Sequence, residues 1–370
     1  MNDTILVGTR KGLFTIGEGT LGYEITDFAF PAAPVVAVLA ARRDGAWYVG
    51  LQHGHFGPKI HRSLDRGHTW TEVGTPAYPA RPEGLAEEWE PMGRRTVPWS
   101  VELLWTIEAG HADRPGELWC GTIPGGLFHS TDRGDTWALV RPLWDDPNRR
   151  RWFGGGYDLP GIHSLCVDPR RPDALLAGVS CGGAWRTGDA GKSWDVRCDG
   201  MRAGYLPPDL ADDPYTQDPH RIVRCPAEPD VLWTQHHNGI FRSVDDTATW
   251  AEITKAGPST FGFAVAVHPT DPDTAWFVPA KADEERIPVG GEMVVTRTRD
   301  GGRSFTVHRD GLPQQHAYHL VYRHCLDVDR TGERLALGST TGSLWTSDDA
   351  GEGFVHLTSS LPPVNAVRFV

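Results

Sequence analysis

The octet Ser130-Thr131-Asp132-Arg133-Gly134-Asp135-Thr136-Trp137 decides the fold, because it recurs along the chain. Copies that keep the hydroxyl, Asp, Gly, hydroxyl and Trp pattern are Ser63–Trp70 and Thr187–Trp194, and weaker copies are Ser243–Trp250, Thr298–Phe305 and Ser347–Phe354. Successive aspartates of the octets are 49 to 67 residues apart, close to the length of a four-stranded propeller blade plus a variable loop. The spacing therefore predicts an array of similar β-sheets.

Each octet has a local role that its chemistry explains. The Asp132 carboxylate is placed to accept hydrogen bonds from its own turn, Gly134 supplies a positive φ, and the Trp137 ring packs under the turn. Burying such a ring removes about 150–250 Å² from water, which is worth roughly 4–6 kcal/mol before other costs.

The pattern Ser-x-Asp-x-Gly-x-Thr-Trp resembles the Asp-box, or bacterial neuraminidase repeat, of sialidase-like and glycosyl-hydrolase-like β-propellers. The resemblance covers nearly the whole chain. It implies a propeller in which each octet joins the third and fourth strands of a blade. It also implies that the octet aspartates stabilise the fold and take no part in catalysis.

The two ends of the chain predict how the array closes. Residues 4–15 carry the same two-strand pattern without an octet, which makes seven repeats. Residues 364–370 form a strand with no blade after it. Pairing this C-terminal strand with the N-terminal blade removes exposed edges. We therefore expect an all-β chain with one domain over 1–370, a seven-bladed β-propeller of four-stranded antiparallel blades.

The composition of the chain limits the kinds of molecule and membrane with which it can associate. The 370 residues carry a formal charge of −12, which argues against nucleic acid and anionic membranes. No apolar run is long enough to span a bilayer, and the start Met1–Ile5 lacks the cationic region of a secretory signal. Six cysteines without a CxxC pair predict reduced thiols and a cytoplasmic location.

Long insertions predict which face carries the site. They occupy about 71–99, 138–161, 195–219 and 306–322 between blades, and 280–291 inside the sixth blade. Loops of this length are usually functional or disordered. Because all of them fall on the face opposite the octet turns, we expect a binding site there.

Three histidines share one position in this register. His163, His220 and His324 each precede the exit turn of an inner strand by the same number of residues. The register places Val35, Leu103 beside Glu102, Phe263 and Asn365 in the other blades. We predict His163, His220, His324 and Glu102 as catalytic groups, because imidazole is the commonest general base and a frequent metal ligand.

Further residues are predicted to bind substrate at the same channel mouth. They are His53, His55, His236, His237, Arg10, Arg221, Arg323 and Asn365. Loop aromatics such as Trp152, Phe153 and Tyr157 are expected to cover the substrate. His163, His220 and His324 could also hold a divalent Zn, Fe or Mn ion, although no dense local metal signature such as HExxH occurs.

Two functions of different classes remain open. The first is a hydrolase or lyase acting on a small polar, carbohydrate-like molecule. Sialidase activity itself is not expected, since the arginine triad and Tyr–Glu pair of true sialidases have no counterpart and their propellers have six blades. The alternative is a non-catalytic propeller that binds a protein or glycan.

Overall fold

The computed structural model describes residues 4–19 and 22–370. Met1–Asp3, part of the start that was predicted not to be a secretory signal, lie outside the described residues. Its described strands form seven four-stranded antiparallel sheets, six with consecutive strands side by side and one that joins the last strand to the first three. The chain is thus an all-β, seven-bladed propeller, as predicted. Helix is limited to α1, Arg141–Trp144, and to 3-10 turns at Gly54–Phe56, Pro147–Arg151 and Val289–Gly291 in the described part of the chain.

Internal contacts divide the chain into two compact units. Met1–Val38 with His220–Val370 form the first unit, and Leu39–Pro219 form the second. The organisation as one domain over 1–370 stays a prediction.

Four sheets belong to the first unit. One contains β1 (Ile5–Thr9), β2 (Gly12–Gly19), β3 (Gly22–Ala29) and β28 (Val364–Phe369). The next along the chain contains β16 (Pro219–Arg224), β17 (Leu232–His236), β18 (Gly239–Ser243) and β19 (Ala251–Ile253), and it is followed by the sheet of β20 (Gly262–Val267), β21 (Ala275–Pro279), β22 (Val295–Thr298) and β23 (Thr306–His308). The last contains β24 (Leu326–Val328), β25 (Leu335–Gly338), β26 (Leu344–Ser347) and β27 (Val355–Thr358). A core that includes Trp276, Trp345, Leu337 and Phe369 fills the space between sheets of this unit.

Three sheets belong to the second unit. Their strands are β4 (Val35–Ala41), β5 (Ala46–Gln52), β6 (Pro58–Ser63) and β7 (Thr71–Val73); β8 (Leu103–Ala109), β9 (Leu118–Ile123), β10 (Leu127–Ser130) and β11 (Ala138–Leu139); and β12 (Gly161–Val167), β13 (Leu175–Ser180), β14 (Gly183–Thr187) and β15 (Asp195–Val196). Trp119, Trp152 and Trp185 lie in one buried cluster of this unit.

The predicted terminal closure is confirmed. Strand β28 pairs antiparallel with β1, and Ile5 lies opposite Phe369 and Val7 opposite Val367. All four side chains are buried. The first sheet is therefore built from the two ends of the chain, which removes a free strand edge.

Every octet occupies the turn between the third and fourth strands of its sheet, as the resemblance implied. In the first octet the Asp65 carboxylate accepts hydrogen bonds from the Ser63 hydroxyl and from the backbone N–H and hydroxyl of Thr69, at 2.6 to 2.8 Å. The hydrogen bonds from Thr69, followed by that from Ser63, lower the pKa of Asp65 to about 2. This carboxylate is fully engaged in its turn.

The six cysteines are all buried and free of disulfides. Burial raises the pKa of Cys198 and of Cys325 to about 12, so both stay thiols at neutral pH. Among the described residues, no helix has the length and apolar character needed to cross a bilayer.

Candidate functional site

Four of the inner strands carry a bulge near the position predicted for the site. Register shifts occur around Trp105 in β8, around His163 in β12, after Gly262 in β20 and around Asn365 in β28. A bulge takes a residue out of the regular ladder and redirects its side chain. The register prediction was wrong by two residues in the third blade, since Trp105 and not Leu103 occupies the bulge.

Among the predicted histidines of the first unit, His220 has the side chain best placed to act on a substrate. It lies at the start of β16 and is 2% exposed. Its Nδ1 atom lies 2.7 Å from the carbonyl oxygen of Gly262. Since a carbonyl oxygen can only accept, Nδ1 carries the proton of this contact.

Aromatic rings hold the His220 imidazole on two sides. The ring stacks on Phe263 at 4.4 Å and 11°, and Phe261 meets it edge-on at 5.8 Å. His237, half-buried in the turn after β17, meets His220 edge-on at 5.4 Å and contacts Phe261. Two predicted histidines of this unit are therefore brought together in an apolar setting.

Two guanidinium groups flank the same aromatic ring. Arg286 and Arg323 lie 5.3 and 5.4 Å from the Phe263 centroid. Arg286 also donates to Asp283 at 2.5 Å. Burial lowers the pKa of Arg286, but the hydrogen bonds to Asp283 and Tyr322 and the charges of both groups together outweigh burial and raise the pKa above its ordinary value. The cluster thus has a cationic border suited to a polar or anionic ligand.

Two other predicted residues of the first unit, His236 and Asn365, form hydrogen bonds with the backbone through their side chains. His236 is fully buried, and its Nδ1 accepts from the Asn238 N–H at 3.1 Å, which stabilises the turn. Asn365 donates from Nδ2 to the carbonyl oxygen of Val35 at 2.9 Å. These contacts fix the positions of both side chains.

Three predicted residues of this unit are less constrained. Arg10 is exposed in the β1–β2 turn, and Arg221 follows His220 and so points to the other face of β16. His324 is half-buried in the turn before β24, where its carbonyl oxygen accepts from the Val367 N–H at 2.8 Å. Their roles in substrate binding or catalysis stay predictions.

The second unit contains His163. This residue is fully buried, and its Nδ1 lies 2.9 Å from the Ser164 hydroxyl. Trp105 meets the imidazole edge-on at 5.3 Å, and Tyr157 packs on the other part of Trp105 at 5.2 Å. That the imidazoles of His163, His220 and His324 face one shared mouth stays a prediction.

Glu102, Trp152 and Phe153 differ from their expected settings. The Glu102 carboxylate pairs with Arg95, with 2.6 Å between Oε1 and Nη2, so its charge is balanced within the loop. The expectation that Trp152 and Phe153 cover the substrate was wrong. Both side chains are buried, because Trp152 packs on Trp185 in the core and leaves only the half-exposed Tyr157 at the surface.

The remaining predicted histidines lie on a short turn. His53 is half-buried at the start of the 3-10 turn Gly54–Phe56 between β5 and β6, and His55 is exposed with its ring 3.9 Å from that of Phe56. Nothing in this local geometry assigns a ligand to either imidazole, and their binding role stays a prediction.

Asp218 is a candidate residue that sequence reasoning missed. It is 3% exposed, and its Oδ1 accepts from the Cys181 N–H at 3.0 Å and the Ser180 hydroxyl at 3.3 Å. A Cβ atom at Gly155 would lie 2.8 Å from the Cys181 sulfur, so the backbone at Gly155 lies close to Cys181. The available signal was the pattern Asp218-Pro219-His220, with an acid two residues before a predicted catalytic histidine.

The sequence pattern also grouped His163, His220 and His324 as ligands of a divalent metal ion. His163 belongs to the second unit and the other two to the first, and this metal site stays a prediction.

A cavity of about 120 Å³ lies among the long loops of the second unit. Trp99 and Trp144 line it together with Leu85, Glu87 and Arg150. Nearby, Trp89 and Met92 expose 59% and 62% of their surface. The loop after β7 therefore presents aromatic and apolar groups to solvent.

The comparisons with known proteins show the fold and leave the family open. No protein-family model matches the chain. A probable oligoxyloglucan-reducing end-specific xyloglucanase of Neosartorya fischeri is 26% identical over 220 residues, which are 52% of this chain and 25% of that protein.

Two solved structures support the propeller. The GH74 enzyme of Niastella koreensis matches with a TM-score of 0.61 and 17% identity, over 95% of this chain and 53% of that one. YCF48 bound to D1 peptide matches with a TM-score of 0.55 and 14% identity, over 93% and 88%. The chain thus spans a quarter of the curated xyloglucanase and about half of the GH74 enzyme. It is similar in fold to glycoside hydrolases and to a peptide-bound propeller.

Proposed function

We propose that this chain is a hydrolase that cleaves a glycosidic bond in a small carbohydrate, at a site centred on His220. The observation that carries the proposal is the oriented His220 imidazole, whose Nδ1 donates to Gly262 while aromatic rings surround it. Aromatic walls with a few placed polar groups are typical of small-molecule sites. The similarity to a xyloglucanase supports a carbohydrate as the substrate class.

Hydrolysis adds water across the bond. The water oxygen bonds to the anomeric carbon, one water proton is taken up by a base, and the glycosidic oxygen leaves after it gains a proton. We assign water activation to the neighbouring imidazoles of His220 and His237. The Phe261 and Phe263 rings exclude bulk water, and Arg286 and Arg323 contribute positive charge beside the substrate.

The test is release of reducing ends from a panel of xyloglucan-derived and other β-glucan oligosaccharides. We expect turnover by the unmodified chain, a loss of at least about 100-fold for His220→Ala, and no change for the exposed outer-strand control His356→Ala. Equal activity of His220→Ala and the unmodified chain would refute the assignment. A cytoplasmic location remains part of the proposal.

A second candidate function is supported by the exposed loop of the second unit. Trp89 and Met92 present apolar surface of the kind that partner-binding propellers use, and YCF48, of similar fold, is bound to a peptide. If no oligosaccharide is cleaved, and a partner protein is bound by the unmodified chain but not by Trp89→Ser, the scaffold function is favoured over the hydrolase.

A further inference from the structure

We propose that the cavity among the long loops of the second unit binds a small molecule that consists of one six-membered ring and a carboxylate. The inference goes beyond the proposed function, because His220 belongs to the first unit and binding in this cavity does not require hydrolysis. The cavity volume of about 120 Å³ limits the size of the ligand. A protein cavity of about 150 Å³ can hold one benzene molecule, so the size here matches a single ring.

Two tryptophans form a fixed aromatic wall of the cavity. The rings of Trp99 and Trp144 meet edge to face, with centroids 5.9 Å apart. Tyr78 packs against both rings, at 5.6 Å from Trp99 and 4.7 Å from Trp144. Nε1 of Trp99 also donates to the carbonyl oxygen of Pro79 at 2.6 Å. Because these contacts hold the rings in place, a ligand ring can pack on them with little further ordering of the wall.

One carboxylate of the cavity lining is already neutralised. Glu88 forms an ion pair with Arg149, with 2.6 Å between Oε2 and Nη2. The Arg149 side chain is 7% exposed, and its guanidinium carbon lies 4.0 Å from the centroid of the Trp144 ring. This pair stabilises the wall, and its two charges cancel.

The other charged groups of the lining favour an anionic ligand. They are the exposed side chains of Arg81, Glu87 and Arg150. Nη2 of Arg81 donates to the carbonyl oxygen of Leu85 at 3.0 Å, which leaves its charge unpaired. Over residues 4–19 and 22–370, the Arg150 guanidinium and the Glu87 carboxylate take part in no hydrogen bond or ion pair. Two guanidinium groups against one free carboxylate leave a net positive charge, and guanidinium groups match a carboxylate ligand in shape and charge.

Two kinds of molecule carry this chemistry, an aromatic acid and a sugar acid. Benzoate and glucuronate are the probes, and the neutral molecules benzamide and glucose are their counterparts. Each is titrated into the full-length protein by calorimetry at low ionic strength. We expect at least one acid to bind about tenfold or more tightly than its counterpart, and to bind more weakly as salt is added. The acid that binds more tightly identifies the kind of ligand.

Three variants test the assignment of charges. Arg150→Gln should weaken binding of the acid at least about tenfold, whereas Glu87→Gln should strengthen it about two- to threefold by removing a like charge. Arg141→Gln is the matched control, because the exposed Arg141 pairs with Asp145 and does not line the cavity. It should bind the acid like the unmodified chain. Since Arg150 is exposed, its variant is expected to fold, and circular dichroism checks this for each protein.

The proposal would be overturned if neither acid binds, if each acid binds no more tightly than its counterpart, or if Arg150→Gln and the unmodified chain have equal affinity. Binding that Arg286→Gln abolishes and Arg150→Gln leaves intact would place the acid beside Phe263 and would also overturn it. Failure of the oligosaccharide assay with acid binding intact would reject the hydrolase and leave this cavity site standing.

Discussion

The Nδ1 atom of His220 donates a hydrogen bond to the carbonyl oxygen of Gly262, at 2.7 Å. Because of this contact, the two nitrogens of the imidazole have different roles. Nδ1 connects the start of β16 to the start of β20, while Nε2 is the atom that the proposed function assigns to catalysis. A substitution that reproduces only one of the two nitrogens can therefore change turnover without changing the free energy of unfolding, or the reverse.

His220→Asn and His220→Gln form such a pair. The Asn amide can reach the position of Nδ1 and keep the bond to Gly262, whereas the Gln amide approximates Nε2. We expect His220→Asn to keep its free energy of unfolding within about 1 kcal/mol but to lose at least about 100-fold in turnover. Urea denaturation and the reducing-end assay check this, and full activity in His220→Asn would refute the role of Nε2.

Gly134 should stabilise its octet for conformational reasons, although the equivalent Thr247 of another octet adopts a φ of 70° without being glycine. Its φ is 85°, and a Cβ there would have only ordinary contacts, of 3.4 Å or more, with its neighbours. Gly134→Ala should therefore lower the free energy of unfolding by about 1–2 kcal/mol through backbone strain alone. The control is Gly188→Ala, at an octet position where other copies carry side chains, with an expected change within about 0.5 kcal/mol. Equal effects in denaturant unfolding would contradict the explanation.

The octet aspartates predict an acid-dependent loss of stability. Hydrogen bonds from the hydroxyl and N–H of the downstream Ser or Thr lower the pKa of Asp65, Asp189 and Asp300 to about 2, below the ordinary 3.8. A lowered folded-state pKa means that the stabilisation is complete above about pH 4 and is lost as pH falls toward 2.

Thermal melting at pH 6, 4 and 3 measures this dependence. Asp300→Asn should reduce the fall in melting temperature between pH 4 and 3, while Asn at the exposed Asp199 should leave the pH profile unchanged. An Asp300→Asn profile that parallels that of the unmodified chain would show that these carboxylates do not contribute in the stated way.

Terminal closure makes the last strand necessary for stability. Phe369 lies opposite Ile5, and its side chain is 2% exposed. Phe369→Ala should lower the free energy of unfolding by about 3–5 kcal/mol. Val355→Ala on the outer strand β27, where Val355 is 63% exposed, should change it by less than about 0.5 kcal/mol. A small effect of Phe369→Ala would show that β28 is dispensable.

The fold was predictable from sequence because its determinants are local and repeated. An octet such as Ser63–Trp70 forms its hydrogen bonds within eight residues, so its pattern is visible wherever it recurs. Closure followed from the two unmatched terminal segments. His163 lies at a register shift in β12, whereas the equivalence of His220 and His324 to that position stays a prediction.

The site was predictable only in part, because loops and bulges do not follow the repeat. Asp218 lies at the end of a long connection and was missed, although it is two residues from His220. Trp105, and not Leu103, lies at the register shift of β8, as His163 does in β12. Trp152 was taken for a surface aromatic, but its long-range contact with Trp185 buries it.

The most direct test that His220 is the centre of the site is a crystal structure of the chain in complex with a xyloglucan-derived oligosaccharide. A sugar oxygen about 2.6–3.2 Å from Nε2 of His220, beside the rings of Phe261 and His237, is the predicted result. Sugar confined to exposed loop aromatics such as Trp89, with none beside His220, would contradict it.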